Sequence, residues 1–334
     1  MIEAFFEDIV VHPEDSSPWL ILADWLEDHA DPRAELVRLT WQLQYEADHA
    51  DFKIRESRVQ TLLAGGMFPV RPRWLFDNIE CAWISPGSFV MGSPDTGVGR
   101  EKQHPVTLTK GFYLGVYPVT QGQWREVMGD NPSVFSRNGY CKEAVKGISD
   151  KELEWFPVEN VSWEMAEEFC AKLSKQLGQV VRLPSEAEWE YACRAGTTTP
   201  FHFGSVLNGE QANCNGNHPY LTKKKGPYLE RPTPVGQESY PANAWGLHDL
   251  HGNVWEWCAD GYLADLSGLP NKDPLSIGQP NIPRVLRGGS WRSTAWYCRA
   301  DYCSAADSIE YCRSSVGFRI LTKCSSIVGF RVAV

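Results

Sequence analysis

Gly246-Leu247-His248-Asp249-Leu250-His251-Gly252-Asn253-Val254-Trp255-Glu256-Trp257 is the stretch that decides how this chain is read. A tight, Gly-containing polar loop runs directly into a Trp-Glu-Trp triplet. The Glu256 carboxylate and the carbonyls of His251, Gly252 and Val254 are oxygen donors of the kind that converge on one hard cation such as calcium, with Asp249 near enough in sequence to assist. The alternative is a carboxylate satisfied by backbone N–H groups. His248 and His251 have no third ligand close in sequence and read as loop histidines.

Working outward, further motifs follow in order. Upstream lie Phe89-Val90-Met91-Gly92-Ser93, Gly111-Phe112-Tyr113-Leu114-Gly115 and Val119-Thr120-Gln121-Gly122-Gln123-Trp124. Pro157-Val158-Glu159-Asn160-Val161-Ser162-Trp163 and Arg182-Leu183-Pro184-Ser185-Glu186-Ala187-Glu188-Trp189-Glu190 come next. Arg287-Gly288-Gly289-Ser290-Trp291 and Gly317-Phe318-Arg319 lie downstream. Trp124, Trp163, Trp189, Trp255, Trp257 and Trp291 each sit inside a motif. They read as scaffold residues that cover loop backbone while the indole N–H finds a carbonyl.

Local signals give the secondary structure. One helix begins at Ser162 and buries Met165, Ala166, Phe169, Cys170 and Leu173. A second opens with Ser185-Glu186-Ala187-Glu188, a capping box in which hydroxyl and carboxylate each satisfy a free backbone N–H. Short β-type runs occur at 89–93, 106–108 and 112–115. After residue 196 no further long helix is expected. Two helices followed by irregular chain with short strands define an α+β domain.

Before residue 79 the texture differs. Residues 1–45 read as helices, with apolar stripes at Ile2, Phe5, Phe6, Ile9 and Val10, then at Trp19, Leu22, Ala23 and Leu26. Asp31-Pro32 reads as an N-cap and first helical position ahead of Leu36, Leu39 and Leu43. Residues 46–78 read as a linker, charged first and then carrying Gly65-Gly66, Pro69 and Pro72. The main domain spans 79–334.

Composition narrows the function classes. The 334 residues are 43% hydrophobic and 22% charged, enough for a real core. Fourteen Trp and 28 Gly favour a loop-rich fold pinned by large rings over a helical bundle. The net charge of −10 argues against a nucleic-acid partner, which needs a basic face. No apolar run approaches the roughly 18 residues that span a bilayer, so membrane insertion is not expected. Met1-Ile2-Glu3-Ala4 offers no basic stretch ahead of an apolar core, so a cytoplasmic location is expected. The ten cysteines include no C-x-x-C pair and read mostly as buried or incidental thiols.

The ordered motif set resembles the formylglycine-generating-enzyme (sulfatase-modifying-factor) family across about 250 residues. The resemblance implies a C-type-lectin-like fold with little regular secondary structure and a calcium site in the Gly246–Trp257 motif. The segment from Trp19 to Leu39 resembles a short helical module found at the N-terminus of many planctomycete-type multidomain proteins. Catalytic members of the family oxidise a substrate cysteine with O₂, using copper held by two cysteines five apart. Counted from Ser290, those positions are Ser293 and Cys298. A hydroxyl is a poor Cu(I) ligand, so the pair is broken and bound copper is not expected. Cys298 and Cys303 repeat the spacing one register later; with Ser290 they are the residues an oxidase would have to use.

The tail supports a different expectation. From Arg292 to Val316, Ser, Tyr, Cys, Ala and Asp dominate. The frame around them looks like that of the variable proteins of diversity-generating retroelements, which display a hypervariable binding face on this fold. Tyr supplies a rigid amphipathic contact surface and Ser an adaptable hydrogen bonder. The expected contact residues are Arg292, Ser293, Thr294, Trp296, Tyr297, Asp301, Tyr302, Ser304, Asp307 and Tyr311, lying over buried Trp291 and Arg319. The partner would be a protein or a small molecule. An ordinary divergent family member, a copper-dependent oxidase and a structural interaction module remain the alternatives.

Overall fold

The structure is a computed structural model that describes residues 15–46, 49–64, 74–76, 79–93, 102–276, 282–306, 314–322 and 331–332. The apolar stripe from Ile2 to Val10, the Gly65–Pro72 run, Asp307 and Tyr311 lie outside the described residues. Among the described residues three helices come first: α1 (Ser17–Asp28), α2 (Arg33–Tyr45) and α3 (Phe52–Ala64). The α1 stripe of Trp19, Leu22, Ala23 and Leu26 is buried as its spacing requires. At the start of α2, the Asp31 carboxylate accepts the Arg33 amide at 2.9 Å. Helix α3 falls inside the stretch read as linker. It is docked, with Glu56 accepting the Ser88 amide and Val59 and Leu62 buried in the same cluster as Phe112 and Tyr191. Its charged exposed face hid a short apolar stripe.

The main body then alternates short strands with capped helices: β1 (Trp74–Phe76), β2 (Ile79–Ile84), β3 (Gly87–Met91), β4 (His104–Leu108), β5 (Phe112–Gly115), α4 (Gln121–Met128) and α5 (Asp150–Leu153). Next come α6 (Trp163–Leu177), β6 (Val181–Arg182) and α7 (Glu186–Arg194). The remainder is strands and long loops: β7 (Trp255–Gly261), β8 (Arg284–Arg287), β9 (Cys303–Ala306), β10 (Val316–Phe318), β11 (Leu321–Thr322) and β12 (Arg331–Val332). The expected caps form: Ser162 accepts from Met165, and Ser185 with Glu188 completes a capping box. A second capping box, Thr120 with Gln123, starts α4, which the sequence reading did not single out.

The strands form a six-stranded sheet ordered β12-β1-β2-β5-β11-β6, a four-stranded sheet ordered β10-β7-β8-β9, and the β3-β4 hairpin. The four-stranded sheet carries the site. Strand β7 is the Trp-Glu-Trp segment; β10 (Val316–Phe318) lies parallel to it and β8 antiparallel, so both late motifs meet at Glu256. Trp124, Trp189 and Trp257 are fully buried and Trp291 nearly so. Their indole N–H groups are satisfied, Trp163 by Cys258 O, Trp257 by Val161 O and Trp291 by Ser314 O. Trp124 and Trp189 instead donate to carboxylates, Asp130 at 2.9 Å and Glu256 at 2.8 Å.

Candidate ligand-binding face

The centre of the site is Arg319, wholly buried at the end of β10. Its Nε and Nη2 donate to the two Glu256 carboxylate oxygens at 2.9 and 2.8 Å. Its remaining N–H groups donate to the carbonyls of Gly115, Val116 and His248 at 2.6–2.8 Å. One guanidinium thus ties β5, the loop around His248 and β7 together, which a buried charge requires if it is to be tolerated.

This arrangement decides what Glu256 does. Its oxygens already accept three N–H groups, from Arg319 and Trp189, and a positive charge lies against them. Engaged in this way, with a positive charge against it, the carboxylate is a poor ligand for a hard cation, which leaves the His251, Gly252 and Val254 carbonyls as the oxygens of the expected calcium set. His251 is likewise committed: Nδ1 lies 2.7 Å from Cys298 O, and Nε2 accepts from the His202 amide at 3.1 Å. Gly252 has φ 86°, and a Cβ there would lie 2.3 Å from Asn213 O. Asn253, next to it, bonds Asn213, Thr233 and Asp249 through its side chain. The Gly246–Trp257 loop is therefore held by protein hydrogen bonds.

The late segment is laid over this base. Trp291 packs edge-on against Phe135 with centroids 5.5 Å apart. A short 3-10 turn, Ala295–Cys298, follows and buries its first and last residues while Trp296 and Tyr297 stay 45% and 41% exposed. Under Trp296 lies buried Arg299, its guanidinium carbon 3.9 Å from the ring centroid. Asp301 holds Arg299 in place, Nη2 to Oδ2 at 2.9 Å and Nε to Oδ1 at 3.3 Å. Tyr220 leans on Trp296 (5.5 Å), Tyr297 meets Tyr302 edge-on (4.9 Å), and Tyr302 faces Trp255 (6.2 Å). The result is a strip of aromatic side chains fixed by one another and by a buried cation.

Six of the ten expected contact residues keep exposed surface. Arg292, Trp296 and Tyr297 are exposed; Thr294, Tyr302 and Ser304 are half-buried. Ser293 and Asp301 are corrections. Ser293 is buried, its Oγ 3.0 Å from the Ser290 amide and 3.1 Å from Ser290 Oγ. Asp301 is buried because Arg299 needs a counter-charge. The sequence reading missed Arg299 and Tyr220, which shape the face from beneath. The Arg-x-Asp spacing was a usable signal for the first; Tyr220 lies too far along the chain to have given one.

The same geometry bears on copper. Position 293 presents a hydroxyl engaged with Ser290, and Cys298 is fully buried in an apolar cluster with Phe201, Leu207, Ala212, Cys214, Tyr220 and Ala295. Cys303 lies in a different cluster, beside Arg287. The residues at the family's two copper positions do not fit the metal.

Sheets of short strands and long loops pinned by buried rings make a C-type-lectin-like scaffold. Residues 70–324 match the Sulfatase-modifying factor enzyme 1-like domain, and the chain belongs to that family. It is 30% identical over 292 residues to the formylglycine-generating enzyme of Bos taurus, covering 71% of this chain and 72% of that one. It is 31% identical over 259 residues to the serine/threonine-protein kinase pkn1 of Chlamydia caviae, covering 72% of this chain and 37% of the kinase. The chain spans about a third of the length of the chlamydial kinases it matches. Among solved structures, Treponema denticola variable protein 1 superposes with a TM-score of 0.59 at 27% identity, covering 76% of this chain and 99% of that one. Among the described residues, no helix is long and apolar enough to cross a membrane.

Proposed function

We propose that this protein is a non-catalytic ligand-binding member of its family. It presents Arg292, Thr294, Trp296, Tyr297, Tyr302 and Ser304 to a protein or small-molecule partner. One observation carries the reading: two large aromatic side chains are left half exposed, yet held rigid by buried Arg299 and by neighbouring rings. Rigid aromatics give large contact area at low entropic cost and dominate binding energetics. The likeness to a variable protein supports this use of the scaffold. On this reading 292–316 is the diversified segment, and the gene would have a near-identical non-coding repeat nearby that differs mainly at adenines.

The alternative is a copper-dependent oxidase of cysteine peptides, which the likeness to formylglycine-generating enzymes keeps open and the Ser293 hydroxyl opposes. One experiment separates them. A random peptide display library panned on the purified protein supplies a probe. The recovered peptides are expected to lose at least about tenfold in affinity, ~1.4 kcal/mol, with Trp296→Ala plus Tyr297→Ala. A cysteine peptide incubated with the protein, Cu(I) and O₂ is expected to keep its mass. Undiminished affinity in the double variant, or conversion of the cysteine to formylglycine, overturns the proposal.

A further inference from the structure

Cys214 and Cys298 come from loops far apart in sequence and are both buried in one apolar cluster with Phe201, Tyr220 and Ala295. The neighbouring Cys214 thiol pushes the Cys298 thiol up. The chain on either side is zipped together. Asn215 N donates to Ser293 O at 2.9 Å, Asn215 bridges Thr294 in parallel, and Ala295 N donates to His218 O at 3.2 Å. Cys298 Sγ also contacts Thr294 O at 3.7 Å, and Gly289 (φ 73°) gives it room, since a Cβ there would lie 2.6 Å from the sulfur. A disulfide needs Cα atoms within roughly 7 Å, and backbone paired on both sides of this cluster draws the two cysteines together.

We propose that Cys214 and Cys298 are a disulfide-forming pair that cross-links the loop bearing Tyr220 to the turn bearing Trp296 and Tyr297. In the bond-forming step both thiols lose a proton and together give up two electrons. The electrons reduce a small-molecule disulfide such as oxidised glutathione, whose S–S bond breaks to give two thiols. The neighbouring Cys214 thiol and burial both push the Cys298 thiol well above its ordinary range, so little thiolate exists in the closed fold. Oxidation therefore proceeds through folding or through opening of these loops. Once formed, the cross-link fixes the aromatic strip from below. The inference concerns the scaffold and stands apart from whether the strip binds anything.

Tryptic peptides make the test unambiguous, because 195–223 contains Cys214 alone and 293–299 contains Cys298 alone. The reduced, unfolded protein is refolded in a reduced/oxidised glutathione buffer, its remaining thiols are alkylated in denaturant, and the digest is analysed by mass spectrometry. The expected product is peptide 195–223 joined to 293–299, absent after dithiothreitol. The oxidised protein is expected to melt higher than the reduced one by roughly 5–10 °C. Both peptides recovered alkylated, or Cys298 joined to another cysteine, overturns the proposal. The readout is made on the unaltered protein, so it does not depend on a variant that folds.

Discussion

The guanidinium of Arg299 lies beneath the Trp296 ring at 3.9 Å, and Asp301, two residues on, holds it there. Among the described residues of the late segment, the most exposed aromatic therefore stands on a buried ion pair as well as on the Tyr220 ring. Burying two charges is costly unless each satisfies the other, so the pair is maintained as a unit.

Removing one member exposes that dependence. Asp301→Ala leaves a buried guanidinium without its carboxylate and is expected to cost about 3–5 kcal/mol in urea denaturation. Trp296 fluorescence is expected to shift to the red as the ring loosens. A cost below about 1 kcal/mol would mean that water serves Arg299 as well as Asp301 does.

Glu256 and Arg319 make a second such unit, nearer the core. Arg319→Met alone is expected to cost about 3–5 kcal/mol, while Arg319→Met with Glu256→Leu recovers much of the loss. Because Arg319 occupies the carboxylate, EDTA is expected to leave the melting temperature unchanged. A fall on chelation that calcium reverses would show that Glu256 serves a metal instead.

Buried carboxyls set the pH dependence. Burial pushes Glu159 up to about 8, against the pull of the Phe135 and Val134 amides, and Asp249 up to about 6. Each binds its proton more tightly folded than unfolded. Their contribution is complete below the unfolded value and is lost as pH rises, by about 6 for Asp249 and about 8 for Glu159. Burial holds His202 down at about 4, with the opposite sign: its contribution is complete above its ordinary value of 6.5 and is lost as pH falls towards 4. Between about pH 6.5 and 8 Glu159 is the carboxyl whose shift reaches through the window, with Glu56 and Glu167 raised by burial in the same sense. Stability is expected to fall across that window, and Glu159→Gln to flatten the fall and raise stability at the upper end. Parallel profiles for the two proteins would contradict this assignment.

Much of the fold was legible because it rests on local rules. The Ser162 and Ser185 caps and the buried stripe of Trp19, Leu22, Ala23 and Leu26 follow from spacing alone. The motif order pointed to the scaffold, and Trp257 and Arg319 within those motifs are fully buried. Helix α3 was hidden because, among its described residues, the buried apolar side chains are Val59 and Leu62, set beside buried Glu56 and among many charges. The site was legible only in part. Exposure of Trp296 and Tyr297 followed from a polar, aromatic segment between two rigid motifs. Burial of Asp301 did not, because it depends on Arg299 turning inward beneath Trp296. The cluster that Cys214 and Cys298 share joins distant loops, and spacing carries no record of that.

A hydrogen–deuterium exchange footprint of a peptide selected on this protein tests the central claim most directly. Protection is expected to concentrate in 291–304 and around Tyr220, with the N-terminal helices and the β3–β4 hairpin unchanged. Protection centred elsewhere, with 291–304 exchanging as in the free protein, would contradict the account.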